Sequence, residues 1–166
     1  IQIAANAISS VKMGRVDEET TLNIGKISGG SATNVIPEIT QLYGEIRSFN
    51  KDKIIENSKS IESIFKNMAL EYNGTSDYSD RWDFEPYTHS LESELIKSIE
   101  KAISDSGIEP VPTKSFGGSD ANSLNQKGIP AVNIGIGAQN PHSVDEFILI
   151  EDLVNSSKIA LNLIKA

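Results

Sequence analysis

The chain has 166 residues, with 15 Lys or Arg against 23 Asp or Glu and a formal net charge of -8 at pH 7. That length suffices for one domain or two small ones, and an acidic balance without any basic block argues against a phosphate backbone as partner. The absence of cysteine excludes disulfides and thiolate metal sites, and with no bilayer-length apolar stretch and no signal-peptide pattern the sequence reads as a soluble, cytoplasmic protein.

Helical spacing begins at once: Ile1, Ala4, Ala5, Ile8 and Val11 share a face, with no initiator Met, N-cap or leading loop before them. Such a start predicts a piece of a larger protein. In "DEETTLNIGKISGG", Leu22 and Ile24 alternate with polar neighbours and predict a strand ended by Gly29 and Gly30. "VIPEITQLYGEIRSF" predicts a second strand, with Leu42 and Ile46 on one face and Gln41, Tyr43 and Arg47 on the other.

From Asp52 to Tyr72, the residues Ile54, Ile61, Phe65, Met68 and Tyr72 keep helical period, Ile55 and Ile64 widen the stripe, and Ser58 is a polar lapse in it. Asn73-Gly74 predicts a turn, and Tyr78, Trp82 and Phe84 alternate with charged residues as in an exposed antiparallel strand. The order α, β, β, α, β is that of a ferredoxin-like, split βαβ sandwich lacking its first strand, which would precede Ile1. Pro86 to His89 reads as a connector, so the expected domains are 1–86 and 87–166.

In the second part, Ser90 predicts the N-cap of a helix carrying Leu91, Leu95, Ile96, Ile99, Ala102 and Ile103 on one face and stopping at Gly107. "EPVPTKSF" predicts a strand, "SDANSLNQK" a helix capped by Ser119 and closed by Gly128, and "PAVNIGI" another strand. A strand, helix and strand so close together predict a right-handed βαβ unit with parallel strands. A last helix starts near Glu151, with Leu153, Ala160, Leu161 and Ile164 inward. Gly117-Gly118 and "GIGAQNPH" both follow the carboxyl ends of the predicted strands, the edge at which open α/β sheets bind ligands.

Gly117 and Gly118 allow a tight turn, and Ser119 and Asp120 open a helix whose first N–H groups lack partners inside it. Those donors attract an anion, but an ordinary Gly-Gly turn with a serine cap accounts for the same residues. His142 follows Pro141, which keeps this stretch out of a helix and places the imidazole on a loop, either as a surface residue or as a metal ligand. "GIGAQN" lacks the third glycine of a dinucleotide fingerprint, and neither Ser119 nor Ser143 has the context of a nucleophile elbow.

In order along the chain, "GGSATNVIPE", "GEIRSF", "FGGSDANSLNQKGIPAVNIGIG" and "PHSVDEF" resemble the peptidase T-like branch of the aminoacylase/carboxypeptidase G superfamily of di-zinc metallopeptidases. The resemblance implies an α/β catalytic domain interrupted by an α+β lid that also mediates dimerisation. Residues 1–86 then match most of the ferredoxin-like lid, and 87–166 match the C-terminal βαβ part of the catalytic domain. His142 matches the family's last metal ligand, while the general-base glutamate and the other ligands belong to motifs upstream of Ile1, so no catalytic residue is expected in this chain.

By the same resemblance, Asn34 and Arg47 match lid residues that hold the substrate's carboxylate or reacting carbonyl, a task suited to a planar guanidinium fork. The bland alternative is a turn asparagine and a solvated strand arginine. Gly117, Gly118 and Ser119 match a loop that lines the substrate pocket; because the ligand role falls to His142, Asp145 and Glu146 are expected to steady its loop rather than bind metal, and His89, near the connector, is expected to be only a hinge residue.

The implied reaction is metal-dependent hydrolysis of amide bonds in short peptides, of tripeptidase or aminopeptidase type, with a short peptide or N-acyl amino acid as substrate. Two zinc ions are implied per site, with manganese or cobalt as alternatives, and a homodimer through the lid; no nucleic acid or membrane partner is expected. The 166-residue chain alone is expected to be inactive, because a catalytic zinc normally takes three protein ligands. A non-enzymatic dimerisation or interaction module is the competing expectation.

Overall fold

Two of the predicted strands form the heart of a small antiparallel sheet, here in a computed structural model that describes residues 1–165. The elements are α1 (Gln2–Ser9), β1 (Gly14–Arg15), β2 (Thr20–Gly29), β3 (Thr40–Ser48), α2 (Lys51–Glu71), α3 (Glu94–Ser104), α4 (Asp120–Gln126) and α5 (Ile150–Lys165). They divide into two compact units, Ile1–Pro86 and the residues from Tyr87 onward. The architecture is mixed α/β, the class the sequence predicts, and among the described residues no helix is long and apolar enough to cross a membrane.

In the first unit the strands lie in the order β1-β2-β3, all antiparallel. Leu22 pairs with Ile46 and Thr20 with Ser48, which puts the alternating inward residues of both strands on one face. The register then passes from Ile24–Gly44 to Lys26–Tyr43, so Gly25 is an extra residue, and the bulge sets Ile27 opposite Leu42. A Cβ on Gly44 would lie 2.7 Å from the Asn23 carbonyl oxygen, so this crossing of the strands requires glycine.

Ala4 and Ala7 of α1 and Ala69 of α2 are buried, together with Leu22 of β2; small side chains let the two helices approach closely. Where β3 hands over to α2, the Thr20 hydroxyl is fully buried 3.0 Å from Ser48 Oγ, and the Asn50 N–H donates to that same Ser48 oxygen at 3.1 Å. Asn50 Oδ1 in turn accepts the Asp52 N–H at 2.9 Å and caps α2.

Ser58, the polar lapse in the stripe of α2, is buried and has a specific task. Its hydroxyl donates to the Asp80 carboxylate and lies 3.1 Å from the Tyr78 hydroxyl. At the other end of the same stretch, Lys51 pairs with Glu85 at 2.9 Å and sits 5.2 Å from the centre of the Trp82 ring. Residues 78–85 therefore lie along α2, held by side chains, and the strand expected over Tyr78, Trp82 and Phe84 does not form. A strand exists only with a ladder partner, and none of the described strands pairs with this stretch. The turn before it is as predicted, with Asn73 at φ 54° and the Gly74 N–H donating to Ala69 O at 2.8 Å.

In the second unit, α3 starts later than expected. Ser93 caps it by accepting the Ile96 N–H at 3.4 Å, while Ser90 shapes a preceding turn by accepting the Glu92 N–H at 3.2 Å. Two serines three residues apart offer the same chemistry, and the choice leaves Leu91 exposed. The helix stops at Gly107 as predicted, at φ 82°, with the Ile108 N–H on Ile103 O at 3.3 Å.

The inward face expected for α5 is a second correction. Ile159 is buried, whereas Leu153, Ala160, Leu161 and Ile164 are exposed. Asn162 of α5 faces the C-terminal end of α3, its amide donating to Ala102 O at 3.3 Å and to Ser106 Oγ at 2.9 Å. The strands expected over 109–116 and 130–136 are a third: neither is paired, and no parallel ladder joins them among the described residues.

Two outcomes follow from these anchors. Ser58→Ala removes the partner of Asp80 and Tyr78 and is expected to cost about 1–2 kcal/mol in urea unfolding, with the loss of protection from amide exchange centred on residues 78–85. The Asp17 carboxyl is held below its ordinary value of 3.8, chiefly by the Glu19 N–H it accepts at 2.9 Å, with burial opposing and Lys53, 3.1 Å away, assisting. A depressed carboxylate stabilises the fold above its unfolded pKa, and that contribution is lost as the pH falls through the lower folded value. The thermal midpoint of the parent chain is therefore expected to drop more steeply below about pH 4 than that of Asp17→Asn.

Candidate active-site loops

The loop Gly117–Ser119 ends in a complete helix cap. Ser119, extended at φ -154°, accepts the Ala121 N–H at 3.2 Å, and Asn122 Oδ1 accepts the Ser119 N–H at 3.0 Å. The capping box answers first-turn donors of α4 from within, so the residues favour the serine-cap reading over an anion site. Neither Gly117 nor Gly118 takes a positive φ, and a Cβ on Gly117 would meet Ser115 Oγ at an ordinary 3.4 Å. What the glycines provide is an exposed backbone unscreened by side chains.

His142 sits at the tip of a closed loop. Gln139 and Phe147 exchange backbone hydrogen bonds of 2.8 and 3.2 Å at its base, and Asn140 and His142 take left-handed φ values of 50° and 66°. A non-glycine residue in that region must be held there by its surroundings. Glu146 provides the hold, its carboxylate accepting the His142 N–H at 3.1 Å, while Ser143 Oγ accepts the Asp145 N–H at 3.0 Å. The imidazole itself is exposed.

Polar side chains connect these loops to the rest of the second unit. His89 Nε2 lies 3.1 Å from Ala131 O, so this histidine bonds within the second unit and is more than a connector residue. Asn125 and Asn133 also hold the stretch before the His142 loop. Polar residues of this kind carry no periodic signal, and only their hydrogen bonds reveal them.

In the first unit, Asn34 is exposed on the loop between β2 and β3. Arg47 lies on the outward face of β3, opposite Thr21, and its Nε donates to the Glu45 carboxylate two residues back on that face. Glu45 raises the already high pKa of the guanidinium. The two side chains are 48% and 58% exposed, so the pair is screened by water and contributes on the order of 0.2–1 kcal/mol.

Among the described residues no group of three or more His, Cys, Asp or Glu side chains comes together to hold a metal ion. His142 offers one imidazole where a catalytic zinc takes three protein ligands, so these residues do not amount to a whole metal site.

The chain matches the family description "Peptidase family M20/M25/M40" over residues 5–166. It belongs to that family. The chain is 30% identical to the uncharacterized protein YqjE of Bacillus subtilis (strain 168), over 99% of its own length and 44% of the relative's. A tripeptidase from Staphylococcus aureus Mu50 superposes with a TM-score of 0.91 at 33% identity, and the aminopeptidase PepT from Bacillus cereus ATCC 10987 with 0.84 at 30%. Each superposition covers 99% of this chain and 44% of the solved one. The chain thus spans less than half the length of each of these three proteins.

The loop geometry makes a direct test available. Glu146→Ala is expected to release the His142 N–H and accelerate its exchange about fivefold or more, as loss of one hydrogen bond of about 1 kcal/mol predicts. Glu146→Gln, whose amide oxygen still accepts, is expected to leave the exchange near that of the parent; NMR of the backbone amides distinguishes the two.

Proposed function

We propose that this chain is the C-terminal portion of a metal-dependent exopeptidase that hydrolyses amide bonds in short peptides, of tripeptidase or aminopeptidase type. Residues 1–86 would form most of a lid that also pairs two copies, and 87–166 would complete the catalytic domain. Membership of the M20 peptidase family supports peptide hydrolysis, as does the likeness to a tripeptidase and an aminopeptidase over nearly the whole chain. The observation that carries the residue assignment is the exposed His142 on a braced, left-handed loop turn.

In this reading His142 contributes one imidazole to a metal centre whose other ligands, and the general-base glutamate, lie upstream of Ile1. Arg47 and Asn34 each hold the substrate's carboxylate or its reacting carbonyl, and the bare backbone of Gly117-Gly118 and the Ser119 cap line the peptide's path. The resemblance implies two zinc ions, with manganese or cobalt as alternatives. A short peptide fits the reading best, with an N-acyl amino acid as the related class, and the protein would act in the cytoplasm.

A non-enzymatic dimerisation module is the second reading, favoured by β3 being an edge strand of its sheet and by the exposure of Val35, Ile36 and Ile39 beside it. Full-length protein assayed with a tripeptide separates the two. His142→Ala is expected to lower kcat/KM by more than the roughly 10–100-fold that loss of an outer-shell group costs, with an unchanged sedimentation coefficient. Unchanged hydrolysis would remove His142 from the reaction. The 166-residue chain by itself is expected to show neither turnover nor stoichiometric zinc in equilibrium dialysis.

A further inference from the structure

The stretch 129–137 leads from α4 to the His142 loop without belonging to any strand, and side chains hold it in place. Asn125 of α4 meets Ala131 as a neighbouring strand would: its Nδ2 donates to Ala131 O at 2.7 Å and its Oδ1 accepts the Ala131 N–H at 3.3 Å. His89 Nε2 reaches the same carbonyl at 3.1 Å. Two residues further on, Asn133 crosses to Ser119, with Nδ2 2.7 Å and Oδ1 3.0 Å from the serine hydroxyl. That hydroxyl is the one that accepts the Ala121 N–H and caps α4.

The two asparagines differ in setting. The Asn125 clasp is partly buried, whereas the Asn133 contact is exposed, where water competes with it and little net stability results. Its effect is geometric. It ties Ser119, the end of the Gly117-Gly118-Ser119 loop, to the stretch that continues into the His142 loop, and it joins them across a gap that no backbone hydrogen bond spans among the described residues. It also commits the Ser119 hydroxyl to the amide and the cap, which leaves the hydroxyl a structural part and no nucleophile.

We propose that Asn133 is a positioning residue that fixes the Gly117–Ser119 loop for binding an extended peptide main chain. The proposal rests on the reading of that loop as part of the substrate pocket. The loop's own backbone N–H and C=O groups would pair with the peptide main chain away from the scissile bond, contacts made equally in the ground and transition states, so their loss raises KM with kcat little changed.

The test uses Asn133→Ala, Asn133→Asp and Asn125→Ala. In the full-length protein, Asn133→Ala is expected to raise KM for a tripeptide about five- to tenfold, the equivalent of one hydrogen bond, with kcat within about twofold and the thermal midpoint unchanged. Asn133→Asp, whose carboxylate still accepts from the Ser119 hydroxyl, restores KM. Asn125→Ala, by contrast, lowers the midpoint.

In the 166-residue chain, Asn133→Ala is expected to speed exchange of the Ala121 and Asn122 amides about fivefold and to leave those of α5 alone. An unaltered KM with unaltered exchange overturns the proposal, as does an equal loss of kcat and thermal midpoint, which would mark a merely structural role. A parent protein inactive on every short peptide fails the peptidase reading instead. In that case accelerated exchange still supports the hold of Asn133 on the loop, and unaltered exchange overturns it.

Discussion

Three stretches, 78–85, 109–116 and 129–137, have no neighbouring strand among the described residues, and the structure depends on how the first and the last are held without one. An extended backbone presents a donor and an acceptor at each residue, and inside a sheet the adjacent strand answers them. Here residues 78–85 and 129–137 lie outside any ladder, and polar side chains of the adjoining helices hold them. Ser58 and Lys51 of α2 secure the first, and Asn125 of α4 with Asn133 secures the second. A few hydrogen bonds at fixed points thus do what a ladder does along its whole length.

That arrangement shapes the candidate site. The Gly117–Ser119 loop is rigid at its end, because a capping box fixes Ser119, and bare at its glycines, which carry no side chain and need no left-handed conformation. The His142 loop is closed at its base by the Gln139–Phe147 pair and braced at its tip by Glu146. In the first unit the outward face of β3 presents Arg47 beside Glu45, with which it pairs. The second unit thus presents an exposed His142 and an exposed backbone turn at Gly117-Gly118.

Much of the fold was legible in the sequence because its signals are local. Leu22 and Ile24 against polar neighbours, the glycines at 29 and 30, the long stripe of α2 and the Ser119 to Gly128 bracket of α4 all depend on neighbours a few residues away, and those elements formed where expected. The placement of His142 on a loop and of Ser119 as a cap was legible for the same reason. The choice between Ser90 and Ser93 as the cap of α3 was not, since each serine satisfies the same local rule. Ser58 looked like a lapse because its partners, Tyr78 and Asp80, are remote in sequence.

The sequence by itself determined the elements with strong internal periodicity, the excluded chemistries of thiolate and disulfide, and the motif order that resembles the M20 peptidases. Only the tertiary structure decided whether an alternating stretch becomes a strand, because pairing requires a partner that local residues do not specify. It also decided which face of α5 is covered, since Ile159 is buried while Leu153, Leu161 and Ile164 stay exposed and Asn162 bonds to Ala102 and Ser106. The roles of Asn125 and Asn133 came from tertiary structure for the same reason, since a side-chain amide acquires a function only from the group it happens to face.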